Sequence, residues 1–162
     1  LEMAPLEVDL PLPRITYDEA VEIASAKVDI VWGDDLSMEA TRTLAEQYGG
    51  FYFITKWPLA LKPFYIQPEG EKHSRGFDFM FREVEMTSGG QRVHDVALLE
   101  QRLREQGLDP KEFGHYLEPF RYGMPPHGGW GLGLDRLAMV FSGAQNVREC
   151  VLFPRDRNRL TP

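Results

Sequence analysis

Three glycines spaced two residues apart, Gly129, Gly131 and Gly133, constrain the fold of this chain more than any other feature of its sequence. Side chains in a β-strand alternate with a period of two, so a strand through these positions has one face without side chains. Glycine is costly inside a strand and usually marks close approach of a ligand or another backbone. An apolar helical pattern that opens with Asp135 and Arg136 follows. The pattern predicts a bare floor with a cation at its edge; a packed sheet corner with an incidental surface arginine is the alternative.

A second strand pattern lies upstream and carries oxygen-bearing side chains. Its residues alternate as in a strand with an apolar and a polar face, with Val84, Met86 and Ser88 on one side and Glu85, Thr87 and Gly89 on the other. A carboxylate at Glu85 and a hydroxyl at Ser88 are hard oxygen ligands of the kind that Mg²⁺ takes alongside substrate phosphates. A solvated strand with ordinary surface charges is the alternative for each residue taken singly.

Two cationic or donor side chains follow on one face of the same segment. Arg92 offers a planar guanidinium that pairs two-pronged with a carboxylate, and His94 can add a second donor or a positive charge. The pair is therefore a candidate site for a carboxylate ligand. A cross-strand ion pair on a solvated surface would explain the same residues without a ligand.

Several segments in a fixed order resemble one known family. The stretch from Glu85 to Arg92 and the strand that ends in Gly133-Leu134-Asp135-Arg136 are similar to the C-terminal half of class II aminoacyl-tRNA synthetases, more narrowly to aspartyl enzymes of archaeal and eukaryotic type. The same order is kept by Phe51 to Pro58, Pro63-Phe64-Tyr65, Tyr122 to Gly129, and Phe153 to Pro162. The resemblance covers about residues 12–162, and matches at consistent spacing make it specific.

The resemblance implies an α+β fold, an antiparallel β-sheet flanked by helices, which is a partial class II aminoacyl-tRNA synthetase catalytic fold. It also implies ATP and Mg²⁺ as cofactors, with Glu85 and Ser88 at the metal and Arg136 and Glu85 as catalytic residues. By position in the motifs, ATP would be bound by Glu85, Gly131, Gly133, Leu134, Asp135 and Arg136, and aspartate by Ser88, Arg92 and His94. A positive pair at Arg92 and His94 favours aspartate over asparagine, since an acidic residue is expected near His94 in asparaginyl enzymes.

Of the three signature motifs that the family carries, the chain matches only the third, at about residues 128–142. We therefore interpret residues 1–162 as a single domain, the C-terminal portion of an aspartate-tRNA ligase catalytic domain, and expect the isolated chain to be inactive. Three alternatives stay open: a non-catalytic synthetase paralogue, an interaction module, and an asparaginyl-tRNA synthetase relative. Relatives often carry an acidic residue near Thr55 for the substrate ammonium, and Thr55-Lys56 offers none.

Composition limits the partners of the chain. A formal net charge of -7 argues against a surface built to clamp nucleic acid, so contact with the tRNA acceptor end would be local. No apolar run approaches the length of a membrane span and the N-terminus lacks a basic start, which predicts a cytoplasmic protein with no membrane partner. One cysteine, Cys150, allows no internal disulfide, and no zinc-ligand spacing is found. The intact enzyme is expected to be a homodimer by family resemblance.

Local signals predict alternating helices and strands. Thr16 to Glu19 has the pattern of a capping box before a helix that runs to about Ala26, and Ser37 can cap a second helix that runs through Gln47. Strands are expected at 51–55, near 63–67, at 75–81 and at 84–92. A helix from Asp95 to Gly107, another from Asp109 to about Gly123, and the glycine-rich strand complete the layered α+β arrangement.

Overall fold

A five-stranded sheet organises the chain, of which the computed structural model describes residues 8–161. Its spatial strand order is β1-β2-β5-β6-β7, and a separate two-stranded hairpin is formed by β3 and β4. The strands are β1 (Arg14–Thr16), β2 (Phe51–Thr55), β3 (Pro68–Glu69), β4 (His73–Ser74), β5 (Gly76–Phe81), β6 (Val84–Gln91) and β7 (Gly128–Leu132). Neighbouring strands are antiparallel except for β1 and β2, which are parallel. The predicted α+β fold with an antiparallel sheet and flanking helices is confirmed, and the parallel edge strand is an addition to it.

Within the described residues, five α-helices flank the sheet: α1 (Tyr17–Ser25), α2 (Met38–Tyr48), α3 (Val96–Glu105), α4 (Gly114–Arg121) and α5 (Leu134–Ser142). The predicted capping box of α1 is present, because the Thr16 hydroxyl accepts from the Glu19 amide and the Glu19 carboxylate accepts from the Thr16 amide. The side chains of Ser37 and Asp95 cap the N-termini of α2 and α3 by accepting a hydrogen bond from a backbone N–H. No helix formed by residues 8–161 is long and apolar enough to cross a membrane.

Two sequence expectations were wrong in detail. The helix expected from Asp109 begins only at Gly114, because residues 110–113 form turns that are closed by Phe113 N–H donating to the Pro110 carbonyl. No strand forms at 63–67. Instead Val93 N–H donates to the Tyr65 carbonyl at 2.9 Å, and a single bridge joins Ile66 to Arg92.

Apolar side chains form two clusters that fix the sheet and helices. The first lies between α1, α2 and one face of the sheet and contains Ile15, Tyr17, Ala20, Leu44, Tyr52, Ile54, Trp57 and Met80. The second joins α3 and α4 to the end of β6 and contains Val93, Leu99, Leu103, Leu117 and Phe120. Burial of apolar surface of this kind is the main stabilising term in folding. The second cluster anchors the chain just beyond the end of β6, the strand that carries Glu85 and Ser88.

Candidate functional site: a cavity over a glycine floor

A β-bulge in β6 decides which of its side chains share a face. Glu85 lies opposite Met80 and Thr87 lies opposite Phe79, so Met86 is an extra residue that no residue of β5 opposes. On a regular strand Glu85 and Ser88 would point to opposite faces. The bulge shifts the alternation by one, so Glu85 and Ser88 are both exposed while Met86 and Thr87 are both buried. The expected alternation of residues 84–89 was therefore wrong. The bulge places the Glu85 carboxylate and the Ser88 hydroxyl on the same face of the sheet.

Most of the predicted site residues line one cavity of about 460 Å³. Its walls come from β6, β7, the start of α5 and the segment that precedes β3. The predicted residues among its lining are Glu85, Ser88, Arg92, Gly131, Gly133 and Arg136. The structure therefore brings together, in one place, side chains that are separated by more than forty positions in the sequence. What these residues bind stays a prediction.

Gly131 and Gly133 form the floor of this cavity, and Gly129 continues the same bare face. A Cβ built on Gly131 would meet no atom within 4 Å, so the space above it is open. A Cβ on Gly129 would lie 3.2 Å from Nη2 of Arg92, and one on Gly133 would lie 3.3 Å from Cδ of Arg136. The bare face is therefore a slot, with the Arg92 guanidinium over Gly129 at one end, the aliphatic part of the Arg136 side chain over Gly133 at the other, and free space over Gly131 between them.

Arg136 is tied to β6 at one end of the slot. Its Nη1 donates to the Glu85 carbonyl at 2.5 Å and lies 3.5 Å from Oε1 of the Glu85 side chain. About half of each side chain stays exposed, 50% for Arg136 and 46% for Glu85. The contact orients the guanidinium and leaves most of its donors available to an anion in the cavity.

The cations around Glu85 do not fully offset the effects of burial and of Asp78 on its carboxyl group. Its partial burial raises its pKa above the ordinary value, the negative charge of Asp78 raises it further, and Arg136 and Lys62 act against both. Asp78 is 3% exposed, lies opposite Ser88 in the sheet, and accepts from Lys62 Nζ at 3.1 and 3.0 Å. This part of the cavity therefore stabilises an additional positive charge.

Glu85 and Ser88 fit a magnesium ion that arrives with a phosphate ligand. Both present oxygen atoms to the same cavity, and the negative charge of Asp78 also acts on the Glu85 carboxyl group. In residues 8–161 no group of three or more His, Cys, Asp and Glu side chains is placed to hold a metal ion on its own. Such a site would need substrate oxygens to complete the coordination, which is usual for Mg²⁺.

Arg92 stands at the other end of the slot in a different environment. Its guanidinium carbon lies 4.6 Å from the centre of the Tyr65 ring, and its backbone N–H donates to the His127 carbonyl at 2.9 Å. Within residues 8–161 its guanidinium has no carboxylate partner and no hydrogen-bond acceptor. A fixed guanidinium that faces a cavity without a counter-ion is suited to a carboxylate ligand.

Three of the predicted residues do not line the cavity. Leu134 and Asp135 lie on the exposed outer side of the first turn of α5, with Leu134 71% exposed. His94 lies beyond Arg92 with its Nδ1 buried and unpaired in the described part of the chain. Their predicted contacts with ATP and aspartate stay predictions. Lys56, beside the position where relatives often carry an acidic residue, forms an ion pair with Glu69 at 3.4 Å.

Sequence reasoning missed several residues of the site. Lys62 and Tyr65 line the cavity from the segment before β3, and Asp78 reaches its edge through Lys62. Pro63-Phe64-Tyr65 resembles a family segment, but the resemblance assigns it no role. A signal for Asp78 was present, since it is a carboxylate in an otherwise apolar strand, Phe77 to Phe81.

Comparisons with known proteins show that nearly all of this chain is similar to aspartyl- and asparaginyl-tRNA synthetases. The aspartate–tRNA(Asp/Asn) ligase of Methanocaldococcus jannaschii is 51% identical over all of this chain, which spans 38% of the length of that relative. The aspartyl tRNA synthetase of Entamoeba histolytica superposes with a TM-score of 0.87 at 40% identity, over 94% of this chain and 33% of that one. The asparaginyl-tRNA synthetase of Pyrococcus horikoshii complexed with asparaginyl-adenylate has a TM-score of 0.88 at 38% identity, over 95% of this chain and 37% of that one.

The family model for class II tRNA synthetases (D, K and N) matches residues 2–157. This match and the identity to the curated relative confirm the resemblance inferred from the motifs. The glycine floor, the arginine at the start of α5 and the carboxylate and hydroxyl of β6 lie within the matched residues. The chain belongs to the class II tRNA synthetases of the D, K and N group.

Proposed function

We propose that this chain supplies the ATP- and aspartate-binding half-site of an aspartate-tRNA ligase. One observation carries the proposal: Glu85, Ser88, Arg92 and Arg136 line a single cavity over Gly131. The slot has a cation at each end, and its middle is free for a flat group. A molecule that joins an amino acid to a nucleotide through a phosphate matches this distribution of charge and space.

The reaction joins aspartate to tRNA in two steps. An oxygen of the aspartate α-carboxylate attacks the α-phosphorus of ATP, the bond from that phosphorus to the bridging oxygen breaks, and pyrophosphate leaves. The terminal ribose hydroxyl of tRNA then attacks the aspartyl carbonyl carbon, and AMP leaves with the bonding electrons. Neither step uses a protein nucleophile, so catalysis rests on alignment of two anions and on stabilisation of developing charge.

Each residue of the cavity has a part in this alignment. Arg136 binds the triphosphate while its contact with Glu85 keeps the guanidinium in place. Gly131 leaves room for the nucleotide, because any side chain would project into the slot. Glu85 and Ser88 would hold Mg²⁺, which would neutralise phosphate charge when bound. The ion pair of Lys62 with Asp78 lies beneath them and supports the local charge balance.

Arg92 is the reason to prefer aspartate to asparagine. A guanidinium without a protein acceptor gains more from a carboxylate than from a neutral amide, since a charge-assisted bidentate pair is about twice as strong as a neutral hydrogen bond. The relative that is 51% identical bears an aspartate ligase name, whereas the asparaginyl structure is 38% identical. Homodimer formation of the intact enzyme and a cytoplasmic location are further parts of the proposal.

Exchange of pyrophosphate into ATP tests the proposal. In the gene product that carries residues 1–162, we expect aspartate to support exchange and asparagine to support far less. Arg92→Leu should abolish the preference for aspartate, while Arg75→Leu, which removes an exposed arginine outside the cavity, should keep it.

Two outcomes would contradict the proposal. If a folded gene product bound neither ATP nor aspartate, the interaction-module alternative would be favoured. If asparagine supported exchange better than aspartate, the alternative of an asparaginyl-tRNA synthetase relative would be favoured. When residues 1–162 are expressed alone we expect no exchange, since two of the three family motifs are not matched in this chain.

A further inference from the structure

The Arg92 guanidinium lies between two surfaces that belong to different parts of the chain. On one side is the Tyr65 ring, whose centre is 4.6 Å from the guanidinium carbon. On the other is the backbone of Gly129, where a Cβ would lie 3.2 Å from Nη2, 3.3 Å from Nε and 3.7 Å from Cζ of Arg92. A flat cation between an aromatic face and a bare strand has little freedom to move out of plane.

The two surfaces are themselves anchored. Backbone hydrogen bonds of 2.9 Å join Val93 N–H to the Tyr65 carbonyl and Gln67 N–H to the Gln91 carbonyl, so the Tyr65 segment runs beside the end of β6. The Tyr65 ring also packs edge-on against Phe64 at 5.3 Å, next to the cluster around Val93. On the other side, β7 pairs with β6, with Gly129 opposite Gly90.

We infer that Tyr65 and Gly129 are positioning residues that set the selectivity of Arg92 for an amino acid with a side-chain carboxylate. The inference rests on the proposed function. Since no acceptor in residues 8–161 orients the guanidinium, its position comes from the aromatic contact and from steric confinement. Bidentate pairing depends on a fixed plane, and a cation–π contact of this kind changes an equilibrium constant by about five- to thirtyfold.

Gly129 and Gly131 then affect different ligands, although both belong to the same bare face of β7. At Gly129 a methyl group would press on Arg92, whereas at Gly131 it would enter open space in the slot. Alanine at position 129 should therefore disturb aspartate, and alanine at position 131 should disturb the nucleotide. The two substitutions are chemically identical and lie on one strand, so each is a control for the other.

Steady-state exchange kinetics on the gene product that carries residues 1–162 test the inference. Tyr65→Leu and Gly129→Ala should each raise the KM for aspartate about tenfold, leave the KM for ATP unchanged and reduce the preference for aspartate over asparagine. Tyr65→Phe keeps the ring and should behave as the unaltered protein. Gly131→Ala should raise the KM for ATP and leave that for aspartate unchanged.

A second measurement needs no activity. In NMR spectra of the 162-residue chain, ring current from Tyr65 should shift the Arg92 Hε signal upfield, and the shift should persist in Tyr65→Phe and vanish in Tyr65→Leu. Absence of the shift in the unaltered chain would overturn the stacked placement.

Kinetics separate this inference from the proposed function. If the unaltered gene product shows no aspartate-dependent exchange, the proposed function fails, and the selectivity role of Tyr65 and Gly129 fails with it. If exchange is normal but Tyr65→Leu has no effect, changes both KM values equally, or is matched by Tyr65→Phe, only the inference drawn here is overturned.

Discussion

At the scale of single residues, the site depends on arginines in contrasting surroundings. Arg136 has a protein partner in Glu85, whereas Arg92 has only an aromatic face and a glycine beside it. The sequence placed both arginines near a ligand, because each stands in a family motif. It could not show that Tyr65 lies against Arg92, since that contact joins a loop to the end of a strand and leaves no local pattern.

Arg136→Ala should impair ATP use far more than folding. The ion pair with Glu85 is half exposed, so its loss should change the free energy of unfolding by about 1 kcal/mol or less. In the gene product we expect a raised KM for ATP and a lower kcat in pyrophosphate exchange. Arg148→Ala is a matched control, because Arg148 also makes an exposed ion pair, with Asp156, but does not line the cavity. Unchanged kinetics in Arg136→Ala would contradict the assigned role.

At the scale of elements, local signals predicted most helices and strands, and tertiary contacts decided the rest. Capping residues placed the starts of α1, α2 and α3 correctly, because a cap is a contact within four residues. The bulge at Met86 was not predictable, since it arises from pairing with β5 and leaves no mark in the alternation. It determines the site, because without it Glu85 would face away from Ser88.

The hydrogen bonds of Asp18 with Trp32 and His73 predict that the stability of the fold depends on pH. The Asp18 carboxylate accepts from Trp32 Nε1 at 2.6 Å and contacts His73 Nε2 at 3.1 Å, which joins α1 to the loop before α2 and to β4. The hydrogen bond from Trp32, and then that of His73, lowers the Asp18 pKa below its ordinary value of 3.8. A lowered carboxyl pKa stabilises the fold above the unfolded value, and this stabilisation is lost as the pH falls through the folded value.

Asp18→Asn should therefore be less stable than the unaltered chain at neutral pH, by about 1 kcal/mol or less because the side chain is half exposed. The difference should shrink as the pH falls below 3.8, where the carboxyl becomes protonated. Urea unfolding of the chain across this range measures it, with Asp29→Asn, at an exposed carboxylate, as the control. A stability difference that stayed constant or grew on acidification would contradict the account.

At the scale of the whole molecule, the sheet has two unlike faces. One face carries the cavity and is partly covered by α1 and α2. The other carries stacked phenylalanine rings of β2 and β5, and beside them Trp130 and Leu132 of β7 are 63% and 41% exposed. The chain spans 38% of the length of the Methanocaldococcus relative, so the activity of a whole ligase is proposed for the gene product and not for these residues alone.

A crystal structure of the gene product with a non-hydrolysable aspartyl-adenylate analogue tests the central claim most directly. The account predicts the adenosine phosphate in the slot over Gly131, between Arg136 and Arg92, and the side-chain carboxylate of the aspartyl group paired with Arg92. An analogue bound outside this cavity, or bound with its side-chain carboxylate away from Arg92, would contradict it.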